Sequence, residues 1–260
     1  MKSFDSARFQ AECAARRLTL GRPLSWREVT QSTNDDAMAA AKSGAPHGAL
    51  FGAEAQERGR GRRGSEWVSA PGAGLWVSVL LRPELRAELG PGLALCAGLA
   101  VREAVAARVA AKVLVKWPND VLAGGRKLAG ILVESQITGV RLGSVIIGIG
   151  INVAQSAFPD ALSNIATSLA LLATRDESRE RLLLDVLSQL EAGLERLANH
   201  GMASIAHELR PHDALLGRRL RVDALEGTGS GIDDDGRLLL RQEDGQIKAL
   251  VSGHVELLGA

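Results

Sequence analysis

The sequence predicts an α+β fold in two units, a larger one over residues 1–212 and a small all-β one over residues 213–260. Strand-like apolar runs interleaved with helical patterns reach as far as Arg141–Val153. A long amphipathic helix follows over Ser178–Asn199, carrying Leu182, Leu183, Val186, Leu190, Leu194 and Leu197 at helical spacing. Beyond Pro211 the composition changes to short strands, Arg218–Leu225, Arg237–Arg241 and Ile247–Val251, parted by Gly/Asp turns such as Asp233–Gly236. That rhythm suggests a small barrel of about 45 residues.

In chain order, Phe4–Leu18 places Ala7, Ala11, Ala14 and Leu18 on one helical face before a break at Gly21-Arg22-Pro23. About 20 residues cannot hold the packed helices of a helix-turn-helix module, so duplex DNA binding and repressor function are not expected. Leu24–Val29 alternates as a strand, and a helix over Asp35–Lys42 follows, closed by Gly44. Ser32 or Thr33 is its natural N-cap, worth about 1 kcal/mol; the same hydroxyls and amides can instead hold a polar ligand group. Ala49–Gln56 and Gly74–Arg82 read as strands. Gly92–Val109 reads as a buried helix whose core face is Leu93, Cys96, Leu99, Ala100 and Val101. Val113–Lys116 is a strand ending in Trp117-Pro118-Asn119-Asp120, where Pro118 keeps Trp117 out of helical geometry. Val121–Ala123 and Lys127–Gln136 flank a hairpin turn at Gly124-Gly125-Arg126, Arg141–Val153 is a central strand, and Ala203–Leu209 is a short helix.

With 260 residues, 46% hydrophobic and 23% charged, the chain can bury one sizeable core plus a small appended domain. A net charge of +1 gives no general footprint for nucleic acid. Cys13 and Cys96 are far apart in helical patterns and read as buried thiols of a reducing compartment. The polar start Met1–Ser6 is no signal peptide, and the apolar runs Leu89–Val101 and Leu142–Ala154 fall short of the roughly 20 residues a membrane span needs. A soluble, cytoplasmic protein without a membrane partner is the expectation. The histidines are scattered, and Walker A, paired-carboxylate and zinc patterns are missing, so no metal ligands are assigned.

Chemistry concentrates in Arg58-Gly59-Arg60-Gly61-Arg62-Arg63-Gly64, a loop that joins two strands. Its glycines let backbone approach a ligand, and each guanidinium offers a planar fork to a carboxylate or phosphate. The Gly59, Gly61, Gly64 spacing matches a dinucleotide fingerprint, but that motif must open a helix, which Pro71 and its neighbouring glycines forbid. A disordered nucleic-acid arm is disfavoured by the strand-like flanks. Lys116 and Lys127 add cations, and Lys127 begins an apolar strand, where its ammonium is either buried or, as strand-end lysines often are, exposed and structural. Gly148 and Gly150 permit close approach of a neighbouring strand or a ligand, and Asn152 needs a partner if buried. Arg60, Arg62, Lys116 and Lys127 thus suit a reaction that needs charge neutralisation rather than a protein nucleophile. Attack of a carboxylate on the α-phosphate of ATP is such a reaction, and Mg²⁺ would accompany the phosphates.

Ser32-Thr33-Asn34, Gln56 with Gly59–Gly64, Lys116–Asp120, Lys127–Glu134 and Gly148–Asn152, in this order, resemble the biotin protein ligases. The resemblance is dense from Ser32 to Asn152 and looser at the C-terminal end. It implies a mixed-sheet catalytic domain like that of class II aminoacyl-tRNA synthetases, with an SH3-like C-terminal domain. It also implies two steps: biotin and ATP give biotinyl-5′-AMP, then a lysine of a biotin carboxyl carrier domain attacks it. Ser32, Thr33, Asn34, Gln56, Arg60, Gly61, Arg62 and Lys127, with backbone from Gly130 to Leu132, are then expected at biotin, with Lys127 and Arg62 catalytic. Arg60, Trp67, Lys116, Asn119, Asp120 and Asn152 are expected at the nucleotide. The chain has no aromatic after Phe158, so adenine must rest on aliphatic groups or on Trp67 or Trp117. The Arg/Gly loop is expected to fold over the adenylate. A lipoate ligase of the same fold is the nearest alternative, and a homodimer through an exposed strand edge is open.

Overall fold

The computed structural model describes residues 3–173 and 178–259; Met1 and Lys2 of the polar start lie outside them. A seven-stranded sheet has the order β1-β2-β3-β7-β6-β5-β4, and a five-stranded C-terminal sheet the order β11-β10-β9-β8-β12. In the large sheet β1 (Leu24–Thr30) and β2 (Leu50–Gln56) are parallel. Antiparallel pairing joins β2 to β3 (Gly74–Leu81), β7 (Arg141–Asn152), β6 (Arg126–Thr138), β5 (Asp120–Ala123) and β4 (Val113–Lys116). The parallel pair requires a crossover, and α2 (Thr33–Lys42) supplies it.

Period-2 alternation sends opposite chemistry to the two faces. Leu75, Val77, Val79, Leu81, Val145, Ile147, Ile149 and Ile151 enter the main core. That core is shared with α3 (Gly90–Ala106) and α6 (Arg179–Leu209). On the other face Leu80 and Ile146 meet Ala37 of α2 in a small second core, each large side chain contributing roughly 1.5–3 kcal/mol. Further along that face the residues shrink to Ser78, Gly148, Gly150 and Gly130. The space they leave is the site.

The expected helix at 92–109 starts earlier: with a preceding turn, Ala87–Ala106 is long and apolar enough to cross a membrane by composition. Its apolar residues are spent in the core instead. The helix after β1 begins at Thr33 rather than Asp35. The two expected C-terminal helices are one helical run bent at Gly201, whose φ is 70°. At the N-terminus α1 (Ser6–Ala15) is capped by Asp5, which accepts from the Arg8 N–H at 2.9 Å.

The anticipated strand Arg218–Leu225 is two strands, β8 (Arg219–Val222) and β9 (Leu225–Ile232), turning at Asp223. Antiparallel β10 (Leu238–Arg241), β11 (Ile247–Leu250) and β12 (Val255–Leu257) complete the small sheet. Glycines hid β9 by weakening its strand propensity. They are needed because a Cβ at Gly227 or Gly229 would lie 2.3 Å from the Arg241 carbonyl or 2.2 Å from the Leu215 carbonyl.

Behind the sheet, buried Glu54 accepts from Arg179 Nη1 (2.7 Å) and Nη2 (3.1 Å), the Phe4 N–H (2.8 Å) and Trp26 Nε1 (3.1 Å). Burial alone would raise this carboxyl; the hydrogen bonds from Arg179, Phe4 and Trp26 outweigh it and hold it below its ordinary value.

Candidate active site

Where β1 ends, Ser32 takes the N-cap position of α2 with extended backbone, but its hydroxyl makes no capping bond. The capping role anticipated for Ser32 or Thr33 is filled by Gln56 from β2. Its Oε1 accepts from the Thr33 N–H at 2.9 Å and lies 3.1 Å from Thr33 Oγ1, while its Nε2 donates to Ser69 at 2.7 Å. Ser78 of β3 donates to Asn34 Oδ1 at 2.6 Å and lies 2.8 Å from Thr33 Oγ1. Asn34 Nδ2 donates to Glu134 at 2.7 Å, and Arg60 bridges Glu134 (3.1 Å) and Asp35 (2.7 Å). Hydroxyls, amides and one bridging guanidinium therefore converge at a helix N-terminus that favours anions.

The floor is made by glycine. Register aligns Trp76, Gly150 and Gly130 across one row and Ser78, Gly148 and Leu132 across the next. A Cβ at Gly148 would lie 2.2 Å from Asn34 Oδ1, and one at Gly150 2.7 Å from the Trp67 indole. These glycines were expected to admit a strand or a ligand. In the structure the Asn34 and Trp67 side chains make that approach, and both glycines also line the cavity of the site. Trp67 also covers Gly130, meets Trp76 edge-on at 6.3 Å, and carries Lys127 Nζ 5.2 Å from its ring centroid. Among the described residues its buried Nε1 has no hydrogen-bond partner. Trp117, the other aromatic considered for adenine, is buried in the core and donates to the Gly236 carbonyl at 3.0 Å.

The lysines sit at strand ends. Lys116 ends β4 and Asp120 opens β5 directly opposite it. Lys127 Nζ lies 2.8 Å from Asp120 Oδ1. Its side chain is 36% exposed, between the buried and exposed alternatives open for Lys127, and its ammonium pairs with Asp120 at the slot. Lys116 is the desolvated one. Burial lowers its pKa, Asp120 opposes that and Lys127 reinforces it. Asn119 donates to the Ile131 carbonyl at 2.9 Å and accepts from Arg62 Nη1 at 3.4 Å. Burial, then the adjacent Arg63, lowers the pKa of Arg62.

These groups line one cavity of about 550 Å³. It gathers Ser32, Thr33, Asn34, Gln56, Arg60, Gly61, Arg62, Trp67, Lys116, Asn119, Asp120, Lys127, Gly130 and Leu132, which is every predicted site residue except Asn152. Asn152 is buried outside that lining, with its Nδ2 on the Thr167 carbonyl (3.0 Å) and its Oδ1 accepting from Gln155 (3.1 Å). The partner it was expected to need comes from its own chain. Sequence reasoning missed Glu134, although it ended the Lys127–Glu134 motif, and missed Ser78, whose strand carried no polar pattern. It also missed Gly253, His254 and Val255 at the cavity mouth, brought there only by docking of the small sheet.

The result is a glycine-floored slot ringed by cations on one face of a mixed sheet, with the small β-sheet beside it. Residues 26–152 match the biotin/lipoate A/B protein ligase family, and residues 218–258 match the biotin protein ligase C-terminal domain. The chain is 38% identical over 244 residues to the bifunctional ligase/repressor BirA of Bacillus subtilis, covering 92% of this chain and 75% of that one. It is 37% identical over 236 residues to the biotin–[acetyl-CoA-carboxylase] ligase of Mycobacterium tuberculosis, covering 85% and 86%. The biotin protein ligase of Aquifex aeolicus in complex with biotin and ATP superposes with a TM-score of 0.77 at 29% identity, covering 91% and 98%. This chain belongs to the biotin protein ligase family.

Proposed function

We propose that this chain activates biotin with ATP as biotinyl-5′-AMP and transfers the biotinyl group to a lysine of a biotin carboxyl carrier domain. The observation that carries the reading is the convergence of Arg60, Arg62, Lys116 and Lys127 on one glycine-floored cavity. A carboxylate oxygen attacks the α-phosphorus, the bond to the β-phosphate oxygen breaks, and pyrophosphate leaves. The carrier amine then attacks the acyl carbon, loses a proton and expels AMP. Both reactants of the first step are anions. Each fixed cation near 4 Å is worth up to about 4 kcal/mol at an effective dielectric of 20, before desolvation costs.

In this reading Ser32, Thr33, Asn34 and Gln56 hold the polar end of biotin, backbone from Gly130 to Leu132 lines its ring, and Lys127 with Arg62 steadies the carboxylate and the charge that develops. Arg60, Lys116, Asn119 and Asp120 serve the nucleotide, and the unpaired Trp67 indole is its adenine platform. Asn152 acts at one remove, orienting Thr167, whose N–H donates to the Lys127 carbonyl at 2.9 Å. Of the carboxylates lining the cavity, Asp120 is engaged by Lys127 while Glu66 stands on the loop, and Glu134 beside the cavity is engaged by Asn34 and Arg60. Among the described residues no three His, Cys, Asp or Glu side chains group as metal ligands. That donor set suits Mg²⁺ carried mainly by phosphate oxygens and water, where it would neutralise charge.

Cytoplasmic residence belongs to the same proposal, supported by two free, buried cysteines. So does the lack of duplex-DNA affinity, which a binding titration at low salt checks. Self-association through the open edge at β1 is read by light scattering. The deciding assay is pyrophosphate release with biotin, ATP and Mg²⁺, followed by labelling of a carrier domain; no release with biotin but release with lipoate would move the chain to the lipoate branch of its family.

A further inference from the structure

We propose that Asp223 in the small C-terminal sheet is a positioning residue for the Arg/Gly loop: it grips Arg63 and thereby holds neighbouring Arg62 against Asn119 across the cavity. This rests on the ligase reading above and adds a role for the small sheet in retaining the activated intermediate.

Arg63 uses both terminal nitrogens on the two carboxylate oxygens of Asp223, with Nη2 to Oδ2 at 3.1 Å. Bidentate pairing fixes orientation as well as distance. The acid is itself anchored to the cavity mouth. Asp223 Oδ1 accepts from the His254 N–H at 3.0 Å, and the Asp223 N–H donates to the His254 carbonyl at 3.0 Å. Arg63 (φ 55°) and Asp223 (φ 51°) both occupy left-handed backbone, which few residues other than glycine adopt. Arg62 and Arg63 share one tight turn, closed by the Ser65 N–H (3.1 Å) and hydroxyl (2.9 Å) on the Arg62 carbonyl, so a shift of one displaces the other.

Charge supports the same assignment. Burial disfavours the Arg62 charge and Arg63 repels it; Asp120, then Asp223, offset that repulsion. The Arg63 hydrogen bond, then the His254 N–H, holds the Asp223 carboxyl down at about 2. Both side chains are about half exposed, at 52% and 48%. Such a pair is weak in water and screened by salt, which suits a catch that must open to admit substrates.

The test compares wild type with Asp223→Asn, which tolerates left-handed backbone and still accepts from His254 but has no charge. Purified enzyme with biotin, ATP and Mg²⁺, without carrier, is mixed with serum albumin as a bystander. The readout is biotin on albumin per pyrophosphate released. Asp223→Asn is expected to raise that ratio about fivefold, and Asp223→Glu to recover part of it. Raising salt should lift the wild-type ratio toward that of Asp223→Asn and leave the variant unchanged. Arg63→Asn should leak similarly, and the double variant no more than either single one. Equal ratios for wild type and Asp223→Asn at matched melting temperatures would overturn the catch, as would independent, multiplying effects of the two single variants. If Asp223→Asn melts early, the wild-type salt response decides alone, and a flat response rejects the proposal. No pyrophosphate from wild type would instead defeat the ligase reading.

Discussion

Two basic groups face each other across the cavity and are built in opposite ways. Lys116 and Lys127 stand on strands β4 and β6, their backbones fixed by the sheet, with Asp120 between them. Arg60, Arg62 and Arg63 stand on a loop of turns, moored by side chains to Asp35 and Glu134, to Asn119 and to Asp223. The lysine shelf is preorganised before any ligand arrives; the arginine loop is held by half-exposed contacts that water and salt can loosen. In the proposed reading fixed charge for the chemistry comes chiefly from the first, with Arg62 reaching in from the second, and the second also governs admission and retention of substrates.

The comparison can be broken most directly at Lys127. If the shelf supplies fixed charge to the first step, Lys127→Ala should lower pyrophosphate release by about a thousandfold, the equivalent of about 4 kcal/mol, with little change in melting temperature. A loss under tenfold would take the shelf out of the chemistry. Arg62→Gly tests the other side. It should keep more pyrophosphate release than Lys127→Ala while raising bystander labelling by roughly 10- to 100-fold, the worth of one charged hydrogen bond; equal labelling by wild type and variant rejects the retaining role.

Gly150→Ala sharpens the boundary between the groups, because the new methyl displaces Trp67, which the loop delivers and Lys127 caps. Overpacking of this kind costs about 1–3 kcal/mol, read as a lower melting temperature and weaker ATP binding by calorimetry. The smallest effect concerns pH. Burial lowers the Lys116 pKa, so its ammonium is lost at a lower pH than an exposed lysine's. ATP affinity should therefore fall with rising pH earlier in wild type than in Lys116→Arg. Across the window between the lowered value and 10.5 the unfolded chain binds more protons, so this group makes the ligand-free fold more stable as pH rises. An identical ATP-affinity profile for the two proteins would remove Lys116 from the phosphate site.

Reading the sequence found the shelf and the loop because both are short runs in which residue types crowd together. It placed nearly all of their residues in one site. It failed where chemistry depends on what the chain brings from afar. Asn152 looked like an orphan amide in an apolar strand, but Thr167 and Gln155 satisfy it from the following loop. Gly148 and Gly150 gave the right inference of close approach without showing that Asn34 and Trp67 would make it. The small sheet was legible as β-structure, yet its glycine-rich strand β9 and last strand β12 fell below the propensity signal. Nothing local to Asp223 or His254 announced that they would meet the Arg/Gly loop.

The buried Glu54 carboxylate has a practical side. One of its donors is the Phe4 amide, and Phe4 stacks on Trp26 with ring centroids 3.7 Å apart, so the front of the polypeptide is a working part of the interior. Trimming through Phe4 removes one of the Glu54 donors and the ring stacked on Trp26, at a cost of about 1–3 kcal/mol, while Arg179 and Trp26 still hold the acid. A purification handle fused at this end should be spaced from Phe4 by a flexible linker.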